Sequence, residues 1–265
     1  CSNMYISAGG TANNTTIDWN GTMYISSGGK HTGSMQFGSG GVVSAYRGSI
    51  IDFTVSEQKI TDAYLINDFK LIKGEATFTI TVNSNQQSGT YKLAQEVDKF
   101  LGNISIGDGN QEYGYATVNF DDLVYKGKSY SLDQVDGNLT LTVTSMVAAP
   151  VAFANITSAT NKDVTVGATF GADSAKREYS LDNKTWQTYT TGIKFTSNGS
   201  VYFRGQDANG YYSDVTTYTV SNIDKVAPTI SVTGNVSGKN VVLTAKVSDN
   251  ASGIKTTQYS FDNKT

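Results

Sequence analysis

The chain has 265 residues, with 20 Lys+Arg against 23 Asp+Glu, a formal net charge of -3, one His and one Cys. So few basic residues leave no electrostatic footprint for nucleic acid. One Cys makes no internal disulfide, and one His with one Cys is too little for a zinc cluster or a Ser–His site. No apolar run approaches the ~18 residues of a membrane helix. No basic start followed by an apolar stretch marks a signal peptide, either because it was removed or because the chain is an internal piece. Gly is 27 residues, Pro only 2, and charged residues only 16%. With Ser, Thr, Asn and Tyr abundant, this composition predicts strands and turns: an all-β protein of more than one domain.

The first elements repeat. Met4-Tyr5-Ile6-Ser7-Ala8-Gly9-Gly10 returns as Met23-Tyr24-Ile25-Ser26-Ser27-Gly28-Gly29, and Met35-Gln36-Phe37-Gly38-Ser39-Gly40-Gly41 follows. Each reads apolar–polar–apolar and then a Gly-rich turn, a short strand with one side chain out between two inward ones. Strands this short bury little alone, but stacked rungs pool their inward side chains in one column. The period predicts a β-solenoid with Ile6, Ile17, Ile25 and Met35 in a shared column; the alternative is a β-meander with a coincidental repeat. The second unit reads one residue shorter before Met35, and His31 beside Lys30 reads as a surface histidine in a turn.

Ser7-Ala8-Gly9-Gly10-Thr11-Ala12-Asn13-Asn14-Thr15-Thr16-Ile17, followed by Gly21-Thr22-Met23-Tyr24-Ile25-Ser26-Ser27-Gly28-Gly29, resembles the passenger repeats of AIDA-type autotransporter adhesins of Gram-negative bacteria. The resemblance covers residues 1–48. It implies a right-handed β-helix outside the cell and names no ligand. The second unit departs from it, with Lys30-His31-Thr32-Gly33 where the first has Thr11-Ala12-Asn13-Asn14.

Residues 49–146 keep the β character without the glycine doublets. Strands are expected at 50–55, 76–82, 89–93, 103–106, 115–120, 128–132 and 138–143, where apolar residues alternate with Thr, Ser or Lys. Asp136-Gly137 and Lys126-Gly127-Lys128 look like hairpin turns. The segment either continues the solenoid with irregular rungs or caps it. The only helical candidate is 94–101.

Pro150 and Pro228 each stand in an Ala-Pro dipeptide, and Tyr179-Ser180-Leu181-Asp182-Asn183-Lys184-Thr185 returns as Tyr259-Ser260-Phe261-Asp262-Asn263-Lys264-Thr265. A period of roughly 80 residues opened by a rigid linker is the length of a small β-sandwich. In its first copy Val164, Val166, Ala168 and Phe170 share one strand face, Tyr179 and Leu181 another, Val201 and Phe203 a third. Asn198-Gly199 and Asn209-Gly210 read as hairpin dipeptides. Trp186 is expected in the core between the sheets. Tyr179 to Asp182, Trp186, Tyr189, Gly199 and Tyr202 to Gly210 resemble a bacterial Ig-like repeat of tandem surface-protein arrays. Asp249-Asn250-Ala251-Ser252-Gly253-Ile254 before Tyr259 fits the same pattern. This resemblance implies an Ig-like sandwich at 147–224, used as spacer or adhesive module, and a second, incomplete repeat at 225–265. Both ends read as cut from a longer protein.

Few residues invite chemistry. Cys1-Ser2 reads as a lipid-modified N-terminus or, aligned with Asn20-Gly21, as an ordinary repeat residue. Trp19 and Trp186 read as core residues against the alternative of sugar platforms. Asp121, Asp122, Asp133 and Asp136, with Asp108, Glu112 and Asp224, form an acidic surface or weak calcium-binding turns, but no aspartate ladder at rung spacing converges on a cation. No pair of carboxylates is fixed for glycoside chemistry. Asn-X-Ser/Thr triplets such as those at Asn138 and Asn235 follow from the composition. No catalytic, cofactor or metal residue is assigned and no cofactor is expected. The sequence therefore predicts a non-enzymatic adhesin segment at a bacterial surface or secreted from it. Its partner would be a protein or glycan on a host or neighbouring cell, with no nucleic acid and no membrane insertion. The alternative is a polysaccharide-processing enzyme or a sugar-binding module on a β-helix.

Overall fold

A computed structural model describes residues 3–98, 100 and 102–262. The protein is all-β and divides into two compact units, Cys1–Met146 and Val147–Thr265. The first begins with β1 (Asn3–Ile6), β2 (Thr11–Ile17), β3 (Thr22–Ile25), β4 (Lys30–Phe37), β5 (Val42–Ala45) and β6 (Ile50–Thr54). A short 3-10 turn at Phe69–Leu71 leads to β7 (Ile72–Gly74), then β8 (Thr77–Thr81), β9 (Gly89–Ala94) and β10 (Asn103–Gly107). Odd and even strands separate into two parallel ladders, β1-β3-β5-β7 and β2-β4-β6-β8-β10.

The register follows the sequence repeat. Met4 pairs with Met23 and Met23 with Val43; Ile6 pairs with Ile25 and Ile25 with Ala45. Ile6, Ile17, Ile25 and Met35 are all buried, as their place in the repeat requires, and both ladders feed one apolar cluster. Each such side chain gains roughly 1.5–3 kcal/mol from burial. The turns stack as well: the Gly9 amide donates to the Gly28 carbonyl, and the Gly28 amide to the Gly48 carbonyl. All three glycines hold positive φ (75, 77 and 83°), a conformation that favours residues without Cβ.

Two sequence expectations fail here. The second unit is longer, not shorter: β4 has 8 residues against 7 in β2, and the pairing slips between Asn13↔Thr32 and Thr15↔Met35. Asn14 (φ 50°) and Gly33 (φ 71°) absorb this bulge in the left-handed region. His31 is not in a surface turn. It sits inside β4, pairs with Ala12 and Ile51, and is fully buried, because the turn ends at Gly29 and alternation sends position 31 inward.

Past β10 the ladder's strand direction changes. β11 (Glu112–Thr117) runs antiparallel on β10. β12 (Leu123–Tyr125), β13 (Lys128–Val135) and β14 (Asn138–Ser145) form an antiparallel sheet in the order β12-β13-β14-β9. Its hairpins turn at Lys126-Gly127 (φ 47 and 75°) and Asp136-Gly137 (φ 49 and 74°). Both central residues of each turn are left-handed, the twist that two-residue hairpins need. Tyr130, Leu132, Leu139, Leu141 and Val143 join the same core as the parallel ladders. No helix forms over the described part of 94–101: Ala94 closes β9, Glu96 has φ 56°, and the Val97 amide donates to the Gly137 carbonyl. Lys99 and Leu101 lie outside the described residues.

The second unit is antiparallel in all its named strands. β15 (Val151–Ala154), β16 (Val164–Thr169), β17 (Lys176–Ser180), β18 (Gln187–Thr188), β19 (Ile193–Phe195), β20 (Gly199–Gln206) and β21 (Thr216–Val220) make two sheets, β15-β16-β19 and β18-β17-β20-β21. Val164 and Val166 from one sheet meet Val201, Phe203 and Val220 from the other in one small core. Ala168, Phe170 and Tyr179 pack against it, but Leu181 lies beyond β17 and is exposed. Asn198-Gly199 is a crossing between sheets, not a hairpin: β19 pairs with β16, while β20 pairs with β17 and β21. The Asn198 amide instead clamps the Ile223 backbone on both its N–H and its C=O. The hairpin β22 (Thr229–Ser237) and β23 (Asn240–Ser248) follows, exposed along almost its whole length.

Candidate functional site

The residues singled out in the sequence do not converge. Cys1 lies outside the described residues. His31 faces the core, where its Nε2 is 3.1 Å from the Thr15 hydroxyl and its Nδ1 has no partner. Burial lowers its pKa from 6.5 to about 4, partly opposed by the Asp52 charge, so at neutral pH it is an uncharged core side chain.

Trp19 and Trp186 are not core residues. Trp19 (φ 51°) and Asn20 (φ 57°) form the corner between β2 and β3, and this left-handed corner throws the Trp19 ring outward to 79% exposure. Trp186 is half-buried on the outer face of the β17–β20 sheet. Its ring lies 4.0 Å from the Arg204 guanidinium, which Tyr212 covers from 3.9 Å. Arg204 also binds Glu178 through Nε (2.8 Å) and Nη2 (2.7 Å). Alternation in β20 explains the arrangement: Val201 and Phe203 point inward, so Arg204 points outward and takes aromatic cover. Tyr189 fills the interior position that the sequence assigned to Trp186. It packs 5.3 Å from Phe170 and 5.5 Å from Phe203, and its hydroxyl accepts from the Ala168 amide.

The acidic residues serve their own turns. Asp108 accepts from the Asn110 and Gln111 amides and the Tyr113 hydroxyl, which hold its pKa below the usual carboxylate range, the Gln111 amide most of all. Glu112 accepts from Ser105 and Tyr115, and Asp122 from Ser129. Asp224 accepts from the Val226 and Ser252 amides. Asp136 is a hairpin residue. Among the described residues no three His, Cys, Asp or Glu side chains group as a metal site. No helix among them is long and apolar enough to cross a membrane.

The feature that sequence reasoning missed is where the β4 ladder divides. Lys30 to Thr32 pair with β6, but Met35 bridges to Ile66, which bridges on to Ala94 of β9. The segment around Leu65 therefore enters beside the second half of β4 while β6 leaves beside the first half. Between them opens a cleft of about 470 Å³. It is lined by Thr32, Ser34, Gln36 and Thr54, by Tyr64 of the 57–65 loop and, at exposed positions, by Asn13, Asn14, Glu57 and Asp62.

Hydrogen bonds fix the walls. Gln36 Nε2 donates to the Tyr64 (3.2 Å) and Leu65 (2.8 Å) carbonyls, Gln58 Nε2 to those of Ala63 and Lys92 (3.1 Å each). The Gly33 amide donates to Thr54 Oγ1, which donates to Asp52. Asp52 is 2% exposed and accepts from Thr79 (2.6 Å) and Thr81 (2.9 Å) as well, so a buried carboxylate is satisfied by three hydroxyls. Glycine is favoured at 33 by its left-handed φ of 71°, and a Cβ there would meet the side-chain oxygens of Asn13 and Asn14. The one sequence signal was the departure at Lys30-His31-Thr32-Gly33, the bulge itself. No protein-family model matches the chain, and no curated protein or solved structure matches it either.

Proposed function

We propose that the protein is a non-enzymatic adhesive segment of a bacterial surface or secreted protein. The first unit is read as a right-handed β-solenoid stalk and the second as an Ig-like sandwich followed by the start of another. The observation that supports this is the parallel pairing of β1-β3-β5 and β2-β4-β6 in step with the sequence repeat. A parallel ladder adds length by repetition, with each rung contacting its neighbours. Parallel crossovers are right-handed in about 98% of cases, which favours that hand here. The AIDA-like and Ig-like resemblances point to the same use: reach, with weak contacts multiplied by many modules. The partner is a protein or glycan on another cell.

The test compares binding of the biotinylated chain to bacterial and epithelial cells, as monomer and on streptavidin beads. The proposal expects beads to bind and monomer to wash off, with no release of reducing ends from polysaccharides. Equal failure of both forms, or release of reducing ends, contradicts it.

A further inference from the structure

We propose that the cleft where β4 parts from β6 binds a neutral saccharide, a ligand assignment that rests on the adhesive reading above. Four features carry it. The first is shape: about 470 Å³ lies within the range of small-ligand pockets, roughly 300–1,000 Å³.

The second is unspent hydrogen-bonding capacity. The Asn13 side chain, Asn14 Nδ2 and the Tyr64 hydroxyl line the cleft or belong to residues that do, and none is bonded among the described residues. Side-chain amides present a donor and an acceptor together, and so does each sugar hydroxyl. Such a site rejects ligands that lack hydroxyls, because its polar groups would be buried unpaired.

The third is pre-organisation. Asn14 Oδ1 accepts from the Ser34 amide at 2.8 Å, which fixes the outward direction of its NH₂ group. Gln36 is tied to two loop carbonyls, and the absent Cβ at Gly33 lets both asparagines lie over β4. Little ordering remains to be done on binding.

The fourth is charge and surface. Glu57 and Asp62 are the charged residues in the lining, so an anionic sugar acid or a phosphate is repelled, whereas a neutral sugar is not. Tyr64 is half-buried; the Lys92 ammonium lies over its ring 5.9 Å from the centre, and the ring's remaining surface is offered to the C–H face of a pyranose. A single such site is weak, and it becomes useful through multivalent display.

The experiment is an amide NMR titration of the ¹⁵N-labelled whole chain. The probes are methyl glucoside, methyl galactoside, N-acetylglucosamine, lactose and chitobiose, with glucuronic acid and a polar tetrapeptide as controls. The expected result is saturable movement of the Asn13, Asn14 and Gln36 side-chain NH₂ signals with at least one neutral sugar, and weaker or no movement with glucuronic acid. Tyr64→Ala and Asn13→Ala, which remove no internal hydrogen bond of those side chains, keep the backbone spectrum and weaken binding by about tenfold. The proposal is overturned if no neutral sugar moves these signals, if the variants bind as the parent does, or if only the peptide moves them. A chain whose beads bind cells but which gives no sugar response loses this inference and keeps the adhesive reading. A sugar response without cell binding does the reverse.

Discussion

The two units solve the same problem in opposite ways. In the first, parallel strands of three to eight residues hold together because each pairs with its repeat in step and sends its side chains into one long cluster. In the second, antiparallel strands enclose a small core of Val164, Val166, Val201, Phe203, Val220 and Ile223. A long apolar cluster spreads a defect over neighbouring strands, whereas a small core concentrates it. The hairpin β22–β23 makes the contrast sharper. Ile230 and Val232 alternate with polar residues, and Val236, Val241, Val242 and Leu243 add apolar side chains, yet all are exposed. Patterning alone does not make a core.

The largest effects should come from the two interiors and stay separate. Phe53→Ala removes a fully buried ring packed 6.0 Å from Phe78, and Phe203→Ala removes one packed between Phe170 and Tyr189. Each should cost roughly 3–5 kcal/mol. Calorimetry of the full chain should show Phe53→Ala lowering one transition and Phe203→Ala the other. A single transition moved equally by both would erase the distinction between units.

Next is acid. The folded pKa of His31 is about 4 against 6.5 for the free side chain. Below pH 6.5 the unfolded chain takes up a proton that the folded chain refuses until pH 4, so stability is constant above that window and falls through it as pH drops. The loss is roughly 3 kcal/mol at about 1.4 kcal/mol per pH unit. It should appear in urea unfolding of the first unit between pH 7 and 4, and His31→Leu should flatten it. A wild-type profile without this slope would mean that His31 is accessible to protons.

Much of this was legible in the sequence. The β class, the inward positions of Ile6, Ile17, Ile25 and Met35, and most strands from Ile50 to Val143 follow from alternation and repeat spacing, but β7 and β12 were not foreseen and the strand expected at 115–120 runs from Glu112 to Thr117. What was not legible depended on where turns end, on register and on local backbone geometry. His31 was misplaced because the turn ends at Gly29, so alternation sends it inward, and the extra residue in β4, which comes after His31, lies where the cleft opens. A three-residue slip exchanged Trp186 for Tyr189, because an aromatic in a short loop does not disclose which side of the sheet it will cover. Trp19 was misplaced for a backbone reason, its left-handed φ at a corner.

Trp186→Ala therefore tests for a smaller effect than a core substitution. Loss of its stacking on Arg204 should cost about 1–2 kcal/mol in unfolding of the second unit, the scale of a partly shielded cation–π contact. A loss of several kcal/mol would return Trp186 to the core. Smallest of all, Val232→Ser in the exposed hairpin should change stability by less than about 0.5 kcal/mol in the same measurement. A larger loss would mean that this face is covered in solution.

The central claim is the stacking of successive repeats in step, and disulfide trapping tests it most directly. Tyr24 and Ser44 are paired neighbours on the outer face of β3 and β5, whereas Ala45 points into the core. Paired parallel strands lie about 4.8 Å apart, within the span a disulfide bridges. In a Cys1→Ser background, Tyr24→Cys with Ser44→Cys should cross-link rapidly on mild oxidation and raise the first unfolding transition, while Tyr24→Cys with Ala45→Cys should not cross-link in the folded state. Equal cross-linking of both pairs, or cross-linking of the second alone, would contradict the register and the stacked architecture built on it.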